Sequence, residues 1–541
     1  MKVLKKIKTF HILIILVCGI SFIGKGIPLF GDDYVKVWDS GNIISNPIFD
    51  VAVGDTDKDG KPEIVAADIC LSGGAKVYVF ENTGDNSYQL VWDSGTAFSW
   101  RISRVAIGDQ DSDGNLEIIA TESHNLPPHG AKIHVFENIG DNDYQEVWHS
   151  GSDLNGMEIT SNFLGDADND GKREIIIGAG YHWSNCKLRV YENTGDNAFQ
   201  EVWNSGNTTG DSVAEGTVGD TDGDGKMEII VGSGGIEKVV RVFENIGDNS
   251  YDLVTKISGF GKSPQAVIGD QDKDGSMEII VGSHEGEWAV RVFEHTGFIG
   301  DNTYTEVWGS GTLDGRIYQP ATGDQDHDGK REIIAPCVDG CKVYLFENIG
   351  DNDYREVWNS GNVIGGLIQY VATGDQDKDG KGEIIIPSYD GKIYVFEHNV
   401  LELAVPFDIK PKSCPNPLNV KNQGMLPAAI LGTGDFDVTT IDIASIRLEG
   451  VAPIRTAFED VTTPFEPYIG KMNKYDCTTE GPDGFIDLTL KFDTGEVVQA
   501  IGQVTDGDVM VLELSGNLLE EFGGTPIKGE DVVVILKKKK K

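Results

Sequence analysis

Seven times this sequence sets three aspartates on alternate positions, follows them with a glycine, and closes with a glutamate. In GDTDKDGKPEIV (54–65) the acids are Asp55, Asp57, Asp59 and Glu63. The later copies hold Asp109, Asp111, Asp113 and Glu117; Asp166, Asp168, Asp170 and Glu174; and Asp220, Asp222, Asp224 and Glu228. Then come Asp270, Asp272, Asp274 and Glu278; Asp324, Asp326, Asp328 and Glu332; and Asp375, Asp377, Asp379 and Glu383. Carboxylates this close repel, so the run needs a cation to offset them. Alternate aspartates aim their oxygens at one centre, the glycine takes the bend, and the next residue offers a backbone carbonyl, as in a calcium loop. A helix–loop–helix calcium site would put its glutamate at position 12. Here that position is Ala66, Ala120, Ile177, Val231, Val281, Ala335 and Ile386, all apolar. The acid stands at position 9 instead. Seven intact copies predict about seven calcium ions, each held by three aspartates and one glutamate. Magnesium is the poorer fit, since it keeps waters and a strict octahedron.

The elements that position these acids repeat with them. The loops start 54, 57, 54, 50, 54 and 51 residues apart. Each is followed by an apolar run such as EIVAAD, then KVYVFEN, a GDN turn, YQLVWDSG, and a run such as VAVGD. Short Val-, Ile-, Tyr- and Phe-rich runs bounded by Gly, Asp and Asn read as strands. Each unit therefore has four: A before the acidic loop, B after it, then C and D joined as a hairpin. Such units, repeated seven times, predict a seven-bladed β-propeller over 31–400. Ring closure is written into the ends. The segment GDDYVKVWDSG (31–41) is a D strand with no A, B or C before it, and KIYVFEHN (392–399) is a C strand with no D after it. The front strand is expected to complete the last blade and leave no open edge there.

The pattern resembles the FG-GAP (VCBS-type) repeat family, whose blades also build integrin α subunits. The resemblance rests on the acidic loop between strands A and B and on about fifty residues per blade. It implies a rigid extracellular propeller that binds partners on one face. The glutamate at position 9 departs from the aspartate often found in the family. The FG and GAP motifs are not kept in every blade; PLFG (28–31) and ISGFGKSPQAV (257–267) are the nearest echoes.

The formal net charge is −42, which excludes nucleic acid as a partner, because a phosphate backbone needs a basic face. Residues 1–26 read as a secretory leader: Lys2, Lys5, Lys6 and Lys8 precede an apolar run too short for a spanning helix. The chain is thus expected to be secreted or at the cell surface, with membrane contact only through an uncleaved leader. Export permits disulfides. Cys337 with Cys341, and Cys414 with Cys477, are candidate pairs, with the pairing itself left open by the sequence, while Cys70 and Cys186 read as buried thiols.

Acidic loops and GDN turns share one end of the predicted ring, which leaves the B–C and D–A loops on the other. Those loops vary, as binding loops on a rigid scaffold do. They carry Trp100, His124, His129, Tyr181, His182, Trp183 and Tyr318, a candidate platform for an extracellular protein or glycan. The recurring Trp38, Trp92, Trp148, Trp203, Trp308 and Trp358 of strand D read as packing between blades; the fourth unit lacks this residue. No nucleophile elbow, HExxH or phosphate loop is present, so no catalytic residue is expected. The function expected is adhesion or ligand binding. A lyase-like polysaccharide enzyme on the same scaffold and a surface-layer component are the alternatives.

After Asn399 the pattern changes. Short alternating strands over 405–541 predict a small β-sandwich. This stretch resembles a C-terminal module of exported microbial proteins, through its IKP…PN…N and AILGT…FDV…ID elements. TTEGPDGFID reads as a worn loop that keeps only Asp483 and Asp487, and no tight ion is expected there.

Overall fold

The computed structural model describes residues 34–537, apart from 71–73, 124–129, 182–183, 210–211, 284–287, 400–401, 422–423, 520–521 and 523. The expected leader lies outside the described residues. Among those described, no helix is long and apolar enough to cross a membrane.

Seven four-stranded antiparallel sheets form the propeller. In blade 1 the strands are A (Ile48–Gly54), B (Glu63–Asp68), C (Val77–Gly84) and D (Ser87–Asp93), hydrogen-bonded in that order. Blades 2 to 6 repeat this plan, with A strands starting at Arg101, Glu158, Gly216, Gln265 and Ala321. In blade 7, A (Ala372–Gly374), B (Glu383–Pro387) and C (Ile393–His398) come from the end of the repeat, and Tyr34–Asp39 supplies D. The ring is closed by a strand from the front of the chain.

Strand B is buried on both faces, because a neighbouring blade covers each side of the sheet; in blade 1 all six residues of EIVAAD are buried. That is why these runs are continuously apolar instead of alternating. Strand D is the outer one. It bulges against strand C at the same place in each blade, as where Val79 faces Trp92 and Phe80 faces Leu90. A bulge turns the strand and re-aims the side chain beside it. Here it goes with each tryptophan meeting the next blade. Trp92 packs on Phe136 and Tyr144, Trp203 on Phe243 and Tyr251, and Trp308 on Phe346 and Tyr354, at ring-centre distances of 5.2–5.8 Å. At the closure Trp38 packs on Phe80 and Tyr88, and Trp358 on Phe396 and Tyr34. In blade 4 Thr255 replaces the tryptophan and donates to the Asn302 carbonyl at 2.8 Å. Phe260 fills that gap against Phe293, with the Arg291 guanidinium over both rings.

The A strands face the axis, where a polar plug joins them. Arg104 of blade 2, 6% exposed, bonds Glu215 of blade 4 and the Tyr370 hydroxyl of blade 7. Its guanidinium lies 4.0 Å from the Tyr370 ring centre and 4.8 Å from that of Phe49. Asp50 of blade 1 accepts from Val105 N–H, and Asn162 N–H of blade 3 donates to Glu215. Blades from around the ring thus meet on one cation.

The C-terminal region packs two sheets on one apolar core that includes Phe407, Leu426, Leu490, Phe492, Leu512 and Val533. One sheet orders Leu403–Ala404, Pro526–Leu536, Val509–Leu518 and Ile441–Leu448, with Asn416–Asn419 also paired to Pro526–Leu536. The other orders Phe407–Ile409, Met425–Ile430, Asp487–Asp493 and Arg455–Glu459. Between the last two strands, residues 460–486 carry no strand or helix. A Cys414–Cys477 disulfide ties that segment down. Cys337 and Cys341, the other candidate pair, are not bridged. Cys337 ends strand B of blade 6 with its side chain wholly buried, whereas Cys341 sits beyond it at φ 48° with its thiol toward the Val338 carbonyl.

Candidate metal centres

Each acidic loop is a short turn between strands A and B, held by its own side chains. In the first, Asp57 accepts from Asp59 N–H at 3.1 Å, Asp59 from Lys61 N–H at 2.7 Å, and Asp55 from Gly60 N–H at 3.4 Å. The sixth residue is glycine in every loop, at φ 86–96°. That left-handed conformation is strained for any residue with a Cβ, which explains the repeated glycine. In the first four loops one oxygen from each of the three aspartates and the glutamate lies within 4.8 Å of the others.

The glutamate is the informative ligand. It opens strand B, so the sheet fixes it rigidly. Glu63, Glu117, Glu174, Glu228, Glu278, Glu332 and Glu383 are all 0–1% exposed. In each, Oε2 accepts the backbone N–H of the loop's second residue, at 2.5–2.7 Å. In each, Oε1 is buried and meets no donor. An oxygen of Asp109, Asp222, Asp270 and Asp375 is orphaned in the same way. A buried carboxylate oxygen is costly unless a donor or a cation faces it. Burial, reinforced by the neighbouring aspartates and opposed by the N–H donor, pushes Glu63 and Glu228 up to about 7. It pushes Glu117, Glu174, Glu278 and Glu383 up to about 8 and Glu332 to about 9. The donors are all hard oxygens, in a set that fits a divalent cation of the calcium type.

A further set of contacts crosses from blade to blade. The asparagine of each GDN turn sits at φ 50–53°, and reaches back to the preceding blade. Asn142 donates its backbone N–H to Asp57 at 3.0 Å and its side-chain amide to Glu81 on strand C. Asn197 does the same to Asp111 and Glu137, Asn249 to Asp168 and Glu192, and Asn352 to Asp272 and Glu294. Asn86 carries the pattern across the closure, to Asp377 and Glu397. Tyrosines of the next D strand roof two of the loops: the Tyr144 hydroxyl meets Thr56 at 2.6 Å and that of Tyr304 meets Thr221 at 2.6 Å. Reading GDN only as a turn missed these residues. The signal was the asparagine itself, which recurs at a left-handed position that glycine would also fill.

Lysines neutralise part of the rim. Lys61 bridges Asp59 and Glu81, and Lys226 bridges Asp224 and Glu244, each at 2.5–2.6 Å. A further acidic group, Asp85, Asp377, Asp379 and Glu397, is served by Lys381, 2.7 Å from Asp379. These lysines hold the outer carboxylates and leave the buried glutamate oxygens unpartnered.

Of the candidate platform residues, His124, His129, His182 and Trp183 lie outside the described residues. Tyr181 is exposed and Trp100 half-buried. Tyr318 instead packs edge-on against Tyr370 beside the axial plug, 6.1 Å between ring centres. In the sandwich, Asp487 is wholly buried and accepts backbone N–H groups of Gly432, Val461 and Thr462. It acts as a brace for two loops.

The FG-GAP-like repeat model matches residues 55–120 and 166–231. Each match runs from the first aspartate of one loop past the glutamate of the next. No curated protein matches the chain in sequence. Two similar solved structures are both of BBS1N in complex with ARL6DN, one soaked with mercury and one with lead. They are 14% and 12% identical, each alignment covering 68% of this chain and 98% of that one, with TM-scores of 0.47 and 0.46. Two stretches of the chain thus carry FG-GAP-like repeats, and the seven sheets fold as a seven-bladed β-propeller followed by a β-sandwich.

Proposed function

We propose that this is an exported calcium-binding propeller that acts as an adhesion or ligand-binding module, with an extracellular protein or glycan as its partner and no catalytic role of its own. One observation carries the calcium reading: seven buried glutamate oxygens, one per blade, face aspartates and meet no donor. Asp55, Asp57, Asp59 and Glu63, and their counterparts in the other six loops, would hold the ions, with the backbone carbonyl after the glycine. A bound ion supplies charge compensation. The chain's own residues then do the rest. An ordered Asp57 offers its second oxygen to Asn142 of the next blade, so filling a loop also fixes a joint between blades. Rigidity of the rim in turn fixes the variable loops at the opposite end, where the ligand surface is placed.

Titration calorimetry of the calcium-stripped chain tests the reading. A stoichiometry near seven is expected, and Asp222→Ala should lower it by one while the ring stays closed. A stoichiometry near zero removes the proposal. A glycan array, run with and without calcium, separates a binder from a scaffold. Turnover of an acidic polysaccharide would favour the lyase alternative.

A further inference from the structure

The sandwich core holds a lysine where a structural cation has little reason to be. Lys471 lies in the irregular segment 460–486, next to exposed Met472, yet is itself 3% exposed. Its Nζ donates to the Phe407 carbonyl at 3.1 Å and lies 3.2 Å from Oδ1 of Asp531, which is 0% exposed. The two oxygens of Asp531 differ. Oδ2 accepts from Ile409 N–H at 2.6 Å and from the Asn416 amide at 2.9 Å, whereas Oδ1 faces the lysine. A second acid, Asp408, is 4% exposed, and no donor reaches either of its oxygens. Burial and the adjoining Asp531 carboxyl raise Asp408 well above the usual carboxylate range, opposed by Lys471. Two acids and one amine therefore share a dry site with a proton to distribute among them.

An amine beside a carboxyl carbon, two N–H donors on one carboxyl oxygen and a protonated acid nearby are the parts of an acyl-transfer site. We propose that Lys471 and Asp531 condense to an intramolecular amide that staples segment 460–486 to the last strand of the sandwich. The lysine gives up a proton within the acid pair and its neutral Nζ attacks Cγ of Asp531. The charge that develops on Oδ2 is held by Ile409 N–H and the Asn416 amide. Oδ1, protonated through Asp408, leaves as water; Cγ–Oδ1 breaks, Nζ–Cγ forms, and no oxidant or cofactor is needed. Burial drives the step, because it exchanges two desolvated charges for one neutral amide. Asp408 is a proton carrier at the reacting atoms, so it is a catalytic residue in this reaction. The bond would join residues 60 apart, alongside the 63-residue span of the Cys414–Cys477 disulfide.

Intact-mass spectrometry of the full chain, with the disulfide reduced, tests this directly. The wild-type chain is expected to be lighter than its sequence by the mass of one water, and a branched peptide joining Lys471 to Asp531 should appear after proteolysis. Lys471→Arg keeps the charge but cannot form the bond, and should show its full mass. Asp408→Asn retains both partners and should also show its full mass, so the test does not depend on Lys471→Arg folding. A wild-type chain at full mass overturns the proposal. So does loss of ammonia with a branch at Asn416. A complete crosslink in Asp408→Asn overturns the role given to that residue.

Discussion

The propeller and the sandwich handle buried carboxylates in opposite ways. In the sandwich two buried acids are answered from within the chain, Asp487 by three backbone N–H groups and Asp531 by Ile409, Asn416 and Lys471, and among the described residues only Asp408 beside them is left without a donor. In the propeller seven glutamate oxygens and several aspartate oxygens are left facing one another. A repeat of about fifty residues has too little interior to satisfy four acids per loop, and the lysines it carries reach only the outer ones. On the calcium reading proposed above the propeller would draw its missing partners from solution, whereas the sandwich has its own packing and the Cys414–Cys477 disulfide. The axial plug is the exception within the propeller, since Arg104 answers Glu215 and Asp50 internally.

Chelation should break the comparison open most widely. With millimolar calcium and dissociation constants of about 0.1–1 mM, linkage gives each site about 0.4–1.4 kcal/mol, or roughly 3–10 kcal/mol over seven. Scanning calorimetry should show the propeller transition falling when calcium is stripped while the sandwich transition stays; a matched fall in both would erase the distinction. Arg104→Met comes next. Leaving Glu215 and Asp50 buried without their cation should cost about 3–5 kcal/mol in the propeller transition, independent of calcium. An effect that vanishes when calcium is saturating would place the plug under ion control instead. On the other side, Cys414→Ser opens a 63-residue span and should lower the sandwich transition by about 2–4 kcal/mol, with no change in calcium stoichiometry. The smallest effect sharpens the joint between blades. Asn142→Ala removes the side-chain amide from Glu81 and should cost about 1–2 kcal/mol, read as a lower chemical-denaturation midpoint of the propeller. It should leave seven ions bound, since Asp57 keeps the backbone N–H of residue 142.

Much of the fold was legible because repetition multiplies weak signals. One EIVAAD run could be helix or strand, but seven at a near-constant spacing, each between an acidic loop and a VFE run, leave only a propeller. The tryptophans were readable as blade packing for the same reason. The Cys337–Cys341 candidate failed because a spacing of four shows nothing of direction: one side chain points into the core and the other sits beyond the strand end. The asparagine joints were missed because their partners lie 57–86 residues away in the preceding blade, and 291 and 311 residues away where Asn86 crosses the closure.

By itself the sequence determined the architecture, the number of blades, and where the acids cluster, since these depend on local periodicity and on residue types at fixed spacing. Only the tertiary structure decided which oxygens are left without a donor, which blade each asparagine grips, and that Lys471, Asp531 and Asp408 share one dry site. Those facts depend on burial and on contacts between distant segments, and a linear pattern carries neither.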